Sequence, residues 1–508
     1  MALLLGLDIG TTNIKAVVFD SDQGQVVRLA TRPTPVDHPR PEWSEHDPER
    51  LWQETANCLR QAAEGLPVAG LAISSFAEAG LPVDEDITPL YPIIAWYDRR
   101  TEPQARRWEG QFDPIDLHAI TGQSLSQSFG VMKYQWFREN YPEKAGQMAY
   151  WLSTPDYIRW RLCGQLATDY SIASRTMCLD QSALHWSNTI LEFAGLDPRQ
   201  LPPAFPGGVL VGRITSQAAQ QTGLPEGCAC VLGGHDHLCG ALAVGGFRPG
   251  VVVDSMGTAE ATLVALSKFH SNPYLVERGY AVYAHVLPDL YVLKTGLTAA
   301  GAAMDWLSRL LNDSSNLHEA PAGGLEREAW KNVGRKAGPL WLPHLSGSGT
   351  PEGDRSSLAA LIGVQIEHSR GDLFRGLLES LAFWLRHNLE HVVSITGQPV
   401  EEVILIGGTT RSGLLVQLKA DILGIPMLLP GIQEGSALGA ALLAGIGARV
   451  FQGPEDAVSS LKYDRRVVEP EPSRIDWYDD LFRNIYLQLY PALKPLHHRL
   501  VERSYEPS

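Results

Sequence analysis

The sequence predicts an α/β protein of two related domains facing a common cleft. Strand-like apolar runs alternate with amphipathic helical stretches over most of the chain. Its 508 residues are enough for two large domains. An apolar strand–turn–strand unit with a Gly-Thr turn occurs twice, at Leu3–Asp20 and Val251–Val264, about 250 residues apart. The boundary is expected in Gly245–Gly250, which divides the chain into 1–247 and 248–508.

The elements follow in order. Asp47–Glu64 and Asp156–Leu162 carry helical apolar spacing. Gly70–Ser75 is an apolar strand that stops at small polar residues. Pro202–Gly208, rich in Pro and Gly, reads as a surface loop. Cys230–Asp236 is a strand with a glycine turn, and Gly240–Val244 a small-residue helix. Glu401–Ile406 runs as a strand into Gly407-Gly408, ahead of helices at Gly413–Leu423 and Ser436–Ala444. The Ala- and Gly-rich run Ala437–Gly447 suits a closely packed core helix, and Trp477–Val501 a helical segment lying across a domain.

Composition excludes several classes. A formal charge of −15 with scattered Lys and Arg argues against nucleic-acid binding. The six cysteines (58, 163, 178, 228, 230, 239) are too irregular for a disulfide framework or a zinc site and read as buried free thiols. The N-terminus has no basic n-region, and no apolar run reaches the ~18–20 residues of a membrane span. A cytoplasmic protein without membrane partner is expected.

The first turn carries the strongest chemical signal. Asp8 ends an apolar strand, and Gly10, Thr11 and Thr12 follow. Glycine lets backbone approach a ligand, and amide and hydroxyl donors can hold phosphate oxygens. Neither a Walker A loop nor a dinucleotide fingerprint is present. The pattern resembles the first phosphate loop of the actin-like, sugar-kinase and Hsp70 group of ATPases.

Further segments resemble one family in that group, the FGGY carbohydrate kinases. They are Trp43–Pro48, Ile94–Thr101, Lys133–Phe137, Thr168–Thr176 and Ala359–Glu379, in the family's order. The resemblance runs from Gly6 to about Gly447 and implies two actin-like (ribonuclease H-like) ATPase domains with an interdomain cleft. It implies Asp236 as catalytic base and Asp8 as the aspartate that acts on Mg²⁺, through water. It places ATP against Gly10, Thr11, Thr12, Gly257, Thr258, Gly301, Gly407, Gly408 and Ser412. In 407–412, Thr409 replaces a glycine and Ser412 an asparagine of the family turn; a β-branched residue resists positive φ, so that turn should differ.

For the acceptor the resemblance points to Glu78, Trp96, Asp236 and His237. Glu78 aligns with a glutamate of glycerol kinases, while Ala77 replaces their arginine. A carboxylate at 78 suits hydroxyl donors and repels an acidic sugar unless a cation intervenes. Trp96 reads equally as a pocket floor or a core tryptophan, and His237 as a sugar contact or a polar residue at a helix start. His235 and His237 could ligate a metal. On a continued strand, however, they point away from Asp236, so no metal is expected there.

The expected reaction is Mg·ATP-dependent phosphorylation of a hydroxyl on a small ketose or polyol. The alternatives are an actin- or Hsp70-like ATPase and a non-catalytic sugar-binding relative. A homodimer is the expected assembly.

Overall fold

Leu3–Ile9, apolar on both faces and wholly buried, forms the central strand β1 of the first sheet. It pairs antiparallel with β2 (Asn13–Asp20), and β3 (Gln25–Pro33) continues antiparallel at the edge. On the other side β4 (Val68–Ser75) and β6 (Ala229–His235) run parallel, and β5 (Leu210–Arg213) closes antiparallel. The order is β5-β6-β4-β1-β2-β3. This computed structural model describes residues 2–311, 324–331, 333 and 338–504.

The second sheet repeats this plan. Its strands are β7 (Val251–Met256), β8 (Glu260–Leu266), β9 (Ala281–Ala284), β10 (Tyr291–Lys294), β11 (Glu402–Ile406), β12 (Met427–Pro430) and β13 (Arg465–Val468), ordered β9-β10-β8-β7-β11-β12-β13. Again a tight antiparallel hairpin, β7–β8, is followed by two parallel strands and an antiparallel edge strand. The short Gly-Thr likeness thus marks a repeat of topology.

Helix α1 (Pro48–Ala63) is capped by Asp47, whose carboxylate accepts from the Arg50 amide, and its apolar stripe covers β2 and β3. The predicted small-residue helix after β6 is longer than expected. As α2 (Asp236–Ala243), it begins at Asp236. The longer helices of the second half, ahead of the C-terminal segment, are α3 (Gly301–Leu310), α4 (Arg370–Thr396), α5 (Gly413–Leu423) and α6 (Gly435–Gly447). The C-terminal segment forms α7 (Pro472–Leu481) and α8 (Leu487–Ser504), with a π-turn between them. It lies across the domain as expected: Tyr478 donates to Glu379 of α4 at 3.0 Å. Pro202–Gly208 is only partly a surface loop. Gly207 is buried, and its amide donates to the Val286 carbonyl at 2.8 Å. All six cysteines are buried and free. Among the described residues no helix is long and apolar enough to cross a membrane.

Helix α6, late in the sequence, lies on β1, β4 and β6 of the first sheet and against α2. One buried cluster joins both helices with Leu4, Ala72 and Val231 of the first sheet and Val251, Val253 and Ile404 of the second. Small residues permit the approach. A Cβ on Gly439 would stand 1.8 Å from the Cys239 carbonyl oxygen, and one on Gly6 1.7 Å from that of Ala437. No side-chain rotation relieves a backbone clash. Gly439→Leu is therefore expected to destabilise by about 3 kcal/mol or more, seen as an earlier urea midpoint, whereas Gly453→Ala, with open space at its Cβ, leaves the midpoint near wild type.

Candidate active site

The β1–β2 hairpin puts Asp8 at the carboxyl end of the central strand, beside Ser74 on β4, whose hydroxyl donates to Asp8 Oδ1 at 2.9 Å. The turn is fastened from behind. Gly10 N–H donates to the Asn13 carbonyl at 3.1 Å, and Thr34 bonds the carbonyls of Gly10 and Thr12 at 2.7 and 2.9 Å. Thr11 and Thr12 remain exposed. Trp96 is no core residue. It is 39% exposed, and its indole N–H donates to the Thr11 hydroxyl at 3.0 Å, so its ring borders the loop. Burial, then the charge of Asp236, pushes Asp8 up to about 7, against the Ser74 bond and Lys15. Burial and the Asp236 charge outweigh Lys15, so a further cation beside Asp8 would favour its ionised form. Its hard oxygens suit Mg²⁺.

Asp236 is the first residue of α2, where β6 ends. Its Oδ1 accepts from the His237 amide at 2.7 Å and lies 3.2 Å from His235 Nε2. Its carbonyl accepts from the Ser436 hydroxyl of α6 at 3.0 Å. Burial, then Glu78, pushes Asp236 up to about 6; the His237 amide, Lys294 and Arg175 oppose this. Burial, with neighbouring cations, holds His235 well below its ordinary range and His237 at about 3, so both rings are neutral at pH 7.

The chain's change from strand to helix at Asp236 corrects the expectation for the histidines. They do not point away from the carboxylate: ligand atoms of His235, Asp236 and His237 lie within 4.8 Å of one another. These imidazole nitrogens do not match the oxygen preference of Mg²⁺, and Lys294 and Arg175 oppose a cation there.

Glu78, at φ +63°, is not a solvated loop residue. Arg175 Nε donates to its Oε1 at 2.6 Å, and a second guanidinium nitrogen bonds the same oxygen. Arg175 also reaches Gln123 and lies over the Phe129 and Tyr283 rings, at 4.9 and 5.4 Å. Lys294 ends β10 of the second sheet; burial and Arg175 lower it to about 8. Sequence reasoning assigned no role to Arg175 or Lys294. Arg175 lay inside the quoted 168–176 segment, and the one signal for Lys294 was a charge closing the apolar run Tyr291–Leu293.

The second loop is built like the first. Gly257 N–H donates to the Ala259 carbonyl at 2.9 Å, leaving Thr258 exposed. Amides at the start of α3 hold it: Ala300 and Ala302 bond the Thr258 carbonyl at 3.1 and 3.0 Å, and Gly301 bonds that of Gly257 at 3.2 Å. A Cβ on Gly301 would stand 2.3 Å from the Gly257 oxygen, and one on Gly407 2.3 Å from that of Met256. Gly407 itself takes the positive φ, +102°, and Gly408–Arg411 form a 3₁₀ turn. Thr409 therefore fits: its hydroxyl donates to the Met256 carbonyl at 3.0 Å. Ser412 is buried and caps α5, accepting from Leu415 N–H at 3.2 Å and donating to Glu326 at 3.2 Å. It supports the turn from behind.

Comparison with known proteins identifies the family. The model of the FGGY family of carbohydrate kinases, N-terminal domain, matches residues 3–243, and that of the C-terminal domain matches 252–448. The xylulose kinase of Escherichia coli (strain K12) is 29% identical over 499 residues, 97% of this chain and 100% of its own. The glycerol kinase of Gloeobacter violaceus is 31% identical over 477 residues, 91% of each chain. The crystal structure of xylulose kinase from Rhodospirillum rubrum has a TM-score of 0.88 at 29% identity, covering 98% of this chain and 100% of that one. These matches favour a kinase over an actin- or Hsp70-like ATPase or a non-catalytic relative. The chain belongs to the FGGY family of carbohydrate kinases, two-domain α/β enzymes that transfer a phosphoryl group from ATP to a hydroxyl of a small sugar or polyol.

Proposed function

We propose that phosphoryl transfer occurs between the two hairpin turns, with Asp236 as general base for the acceptor hydroxyl. The observation that carries this is the pair of carboxylates, Asp8 and Asp236, near enough that the charge of Asp236 raises Asp8, beside two glycine-threonine turns. The ATP phosphates lie against Gly10–Thr12 and Gly257–Thr258, whose donors stabilise charge spreading over the transferred group. The adenosine lies along Gly301, Gly407 and Gly408, with Ser412 holding that turn. Asp8 would hold Mg²⁺ through water, and the ion supplies charge neutralisation on the phosphates. The acceptor lies over Trp96 and meets Glu78 and His237; the neutral His237 ring can accept from or donate to a hydroxyl without competing for the base's proton. Domain 1–247 supplies the base and acceptor pocket, and 248–508 most of the nucleotide site.

The relatives' names point to a ketose or a polyol as acceptor. The test is ADP release from Mg·ATP across pentuloses, hexuloses, polyols and aldonates, with a control lacking acceptor. One acceptor should stimulate release more than its epimers do; equal release in every arm would sink the reading. The base must be ionised to act, and its folded pKa is raised to about 6. Hence kcat/KM should fall as pH drops through about 6, to about a tenth by pH 5. A flat profile from pH 8 to 5 would remove Asp236 from the role of base.

A further inference from the structure

Glu78 stands in a backbone conformation that an ordinary side chain avoids. Its φ is +63°, and the Ala79 amide donates to the Ala77 carbonyl at 2.8 Å, closing a γ-turn around it. A γ-turn of positive φ is rare and strained, and such strain persists only where the surroundings hold it. Ala77 and Ala79 are buried and apolar, so neither fastens the Glu78 carboxylate. Arg175 does. Its Nε donates to Glu78 Oε1 at 2.6 Å, and a second guanidinium nitrogen reaches the same oxygen. Glu78 Oε2 has no hydrogen bond among the described residues. Arg175 is itself held. Its remaining guanidinium nitrogen bonds Gln123 Oε1, and Gln123 donates in turn to the Ser174 carbonyl at 2.6 Å. The guanidinium lies over the ring of Phe129 from the first half and that of Tyr283 from β9 of the second, at 4.9 and 5.4 Å. Both charges are felt at Asp236, where Glu78 raises the proton affinity and Arg175 lowers it.

We propose that Arg175 is a positioning residue for phosphoryl transfer: it locks Glu78 Oε1 and so leaves Oε2 to take a hydrogen bond from one acceptor hydroxyl. This rests on the kinase reading above and deepens it. A carboxylate only accepts, so the acceptor presents an O–H donor at that point rather than a carbonyl or ether oxygen. Two parallel donors from a planar guanidinium fix the carboxylate more firmly than a single flexible cation would. A hydroxyl held on one fixed oxygen orients the rest of the acceptor, and with it the hydroxyl that meets Asp236.

The test is a double-mutant cycle on the full chain. It reads kcat and KM for ADP release from Mg·ATP with the most effective of glycerol, erythritol, xylitol, D-xylulose and D-ribulose. Arg175→Met should lower kcat/KM for that acceptor by about tenfold to a hundredfold, with the acceptor KM raised and the KM for ATP within about threefold of wild type. In a Glu78→Gln background the same substitution should cost at most about threefold, because the carboxylate it serves is gone. Arg175→Met leaves a carboxylate whose side chain is 9% exposed without its partner, so urea unfolding accompanies the kinetics. The double variant removes both charges and should recover the midpoint. Where Arg175→Met does not fold, Arg175→Lys, which keeps the charge without the paired donors, runs the same cycle. An equal cost in both backgrounds shows an arginine that touches the acceptor itself or only supports the fold, and overturns the inference. So does an Arg175→Met variant with kcat/KM within about threefold of wild type. Either result leaves the kinase reading standing. ADP release by the wild type that no acceptor stimulates overturns both.

Discussion

Asp236→Asn lowers turnover by about 10²- to 10⁴-fold while ATP affinity stays within about threefold of wild type. Asparagine keeps the shape of the side chain and an oxygen that can accept from the His237 amide, which Asp236 Oδ1 does at 2.7 Å. The start of α2 should therefore hold. What is lost, on the proposed mechanism, is the basic carboxylate that would take the proton of the acceptor hydroxyl. ADP release under saturating acceptor gives the turnover, and nucleotide titration the affinity. The same variant tests the coupling between the carboxylates. Asp8 stands at about 7 partly because Asp236 is negative, so removing that charge should let Asp8 ionise at lower pH in the metal-free protein. Turnover within threefold of wild type would show that the proton goes elsewhere.

Asp8, Gly10–Thr12, Gly257–Thr258 and Asp236 were legible in the sequence for one physical reason. Each sits where a strand ends and the chain turns, so its placement is local, and apolar runs on either side of each turn announce it. The repeat was legible in the same way, through two hairpins rather than through overall identity. What was hidden depends on tertiary approach. Arg175 meets Glu78 across 97 positions of sequence, and Lys294 reaches the site from the opposite sheet. Strand alternation gave the wrong sense for His235 and His237 because the strand stops one residue before Asp236. Helix α6 was read as closely packed from its Ala and Gly, but nothing in its own sequence says that it lies on the first sheet. Ser412 was placed at the nucleotide by alignment, and its burial as a helix cap became visible only with Glu326 beside it.

Lys419→Met destabilises the second half of the chain by about 3–5 kcal/mol, and more at high pH than at low. Lys419 on α5 donates to Asp254 of β7 at 2.5 Å and to Glu260 of β8 at 2.7 Å, and all three side chains are at most 1% exposed. Two carboxylates share one ammonium. Burial, then the neighbouring Asp254, lifts Glu260 to about 8, and burial lifts Asp254 as well. The folded protein thus retains a proton at pH 7 that the unfolded chain, with Glu260 at its ordinary 4.5, releases. That contribution is complete below about 4.5 and is lost as pH rises through about 8. Without the ammonium both carboxylates hold protons more tightly, so each further unit of pH works against the folded state. Urea unfolding at pH 5.5 and 8 should show the variant's deficit widening at the higher pH, and Lys419→Met with Asp254→Asn and Glu260→Gln should recover part of it. A variant that unfolds like wild type at both pH values would show that water reaches the triad. The strands it joins carry the Gly257–Thr258 turn between them, so on the proposed reading the same substitution should weaken ATP binding before it unfolds the chain: that turn is only as fixed as the buried charges beneath it.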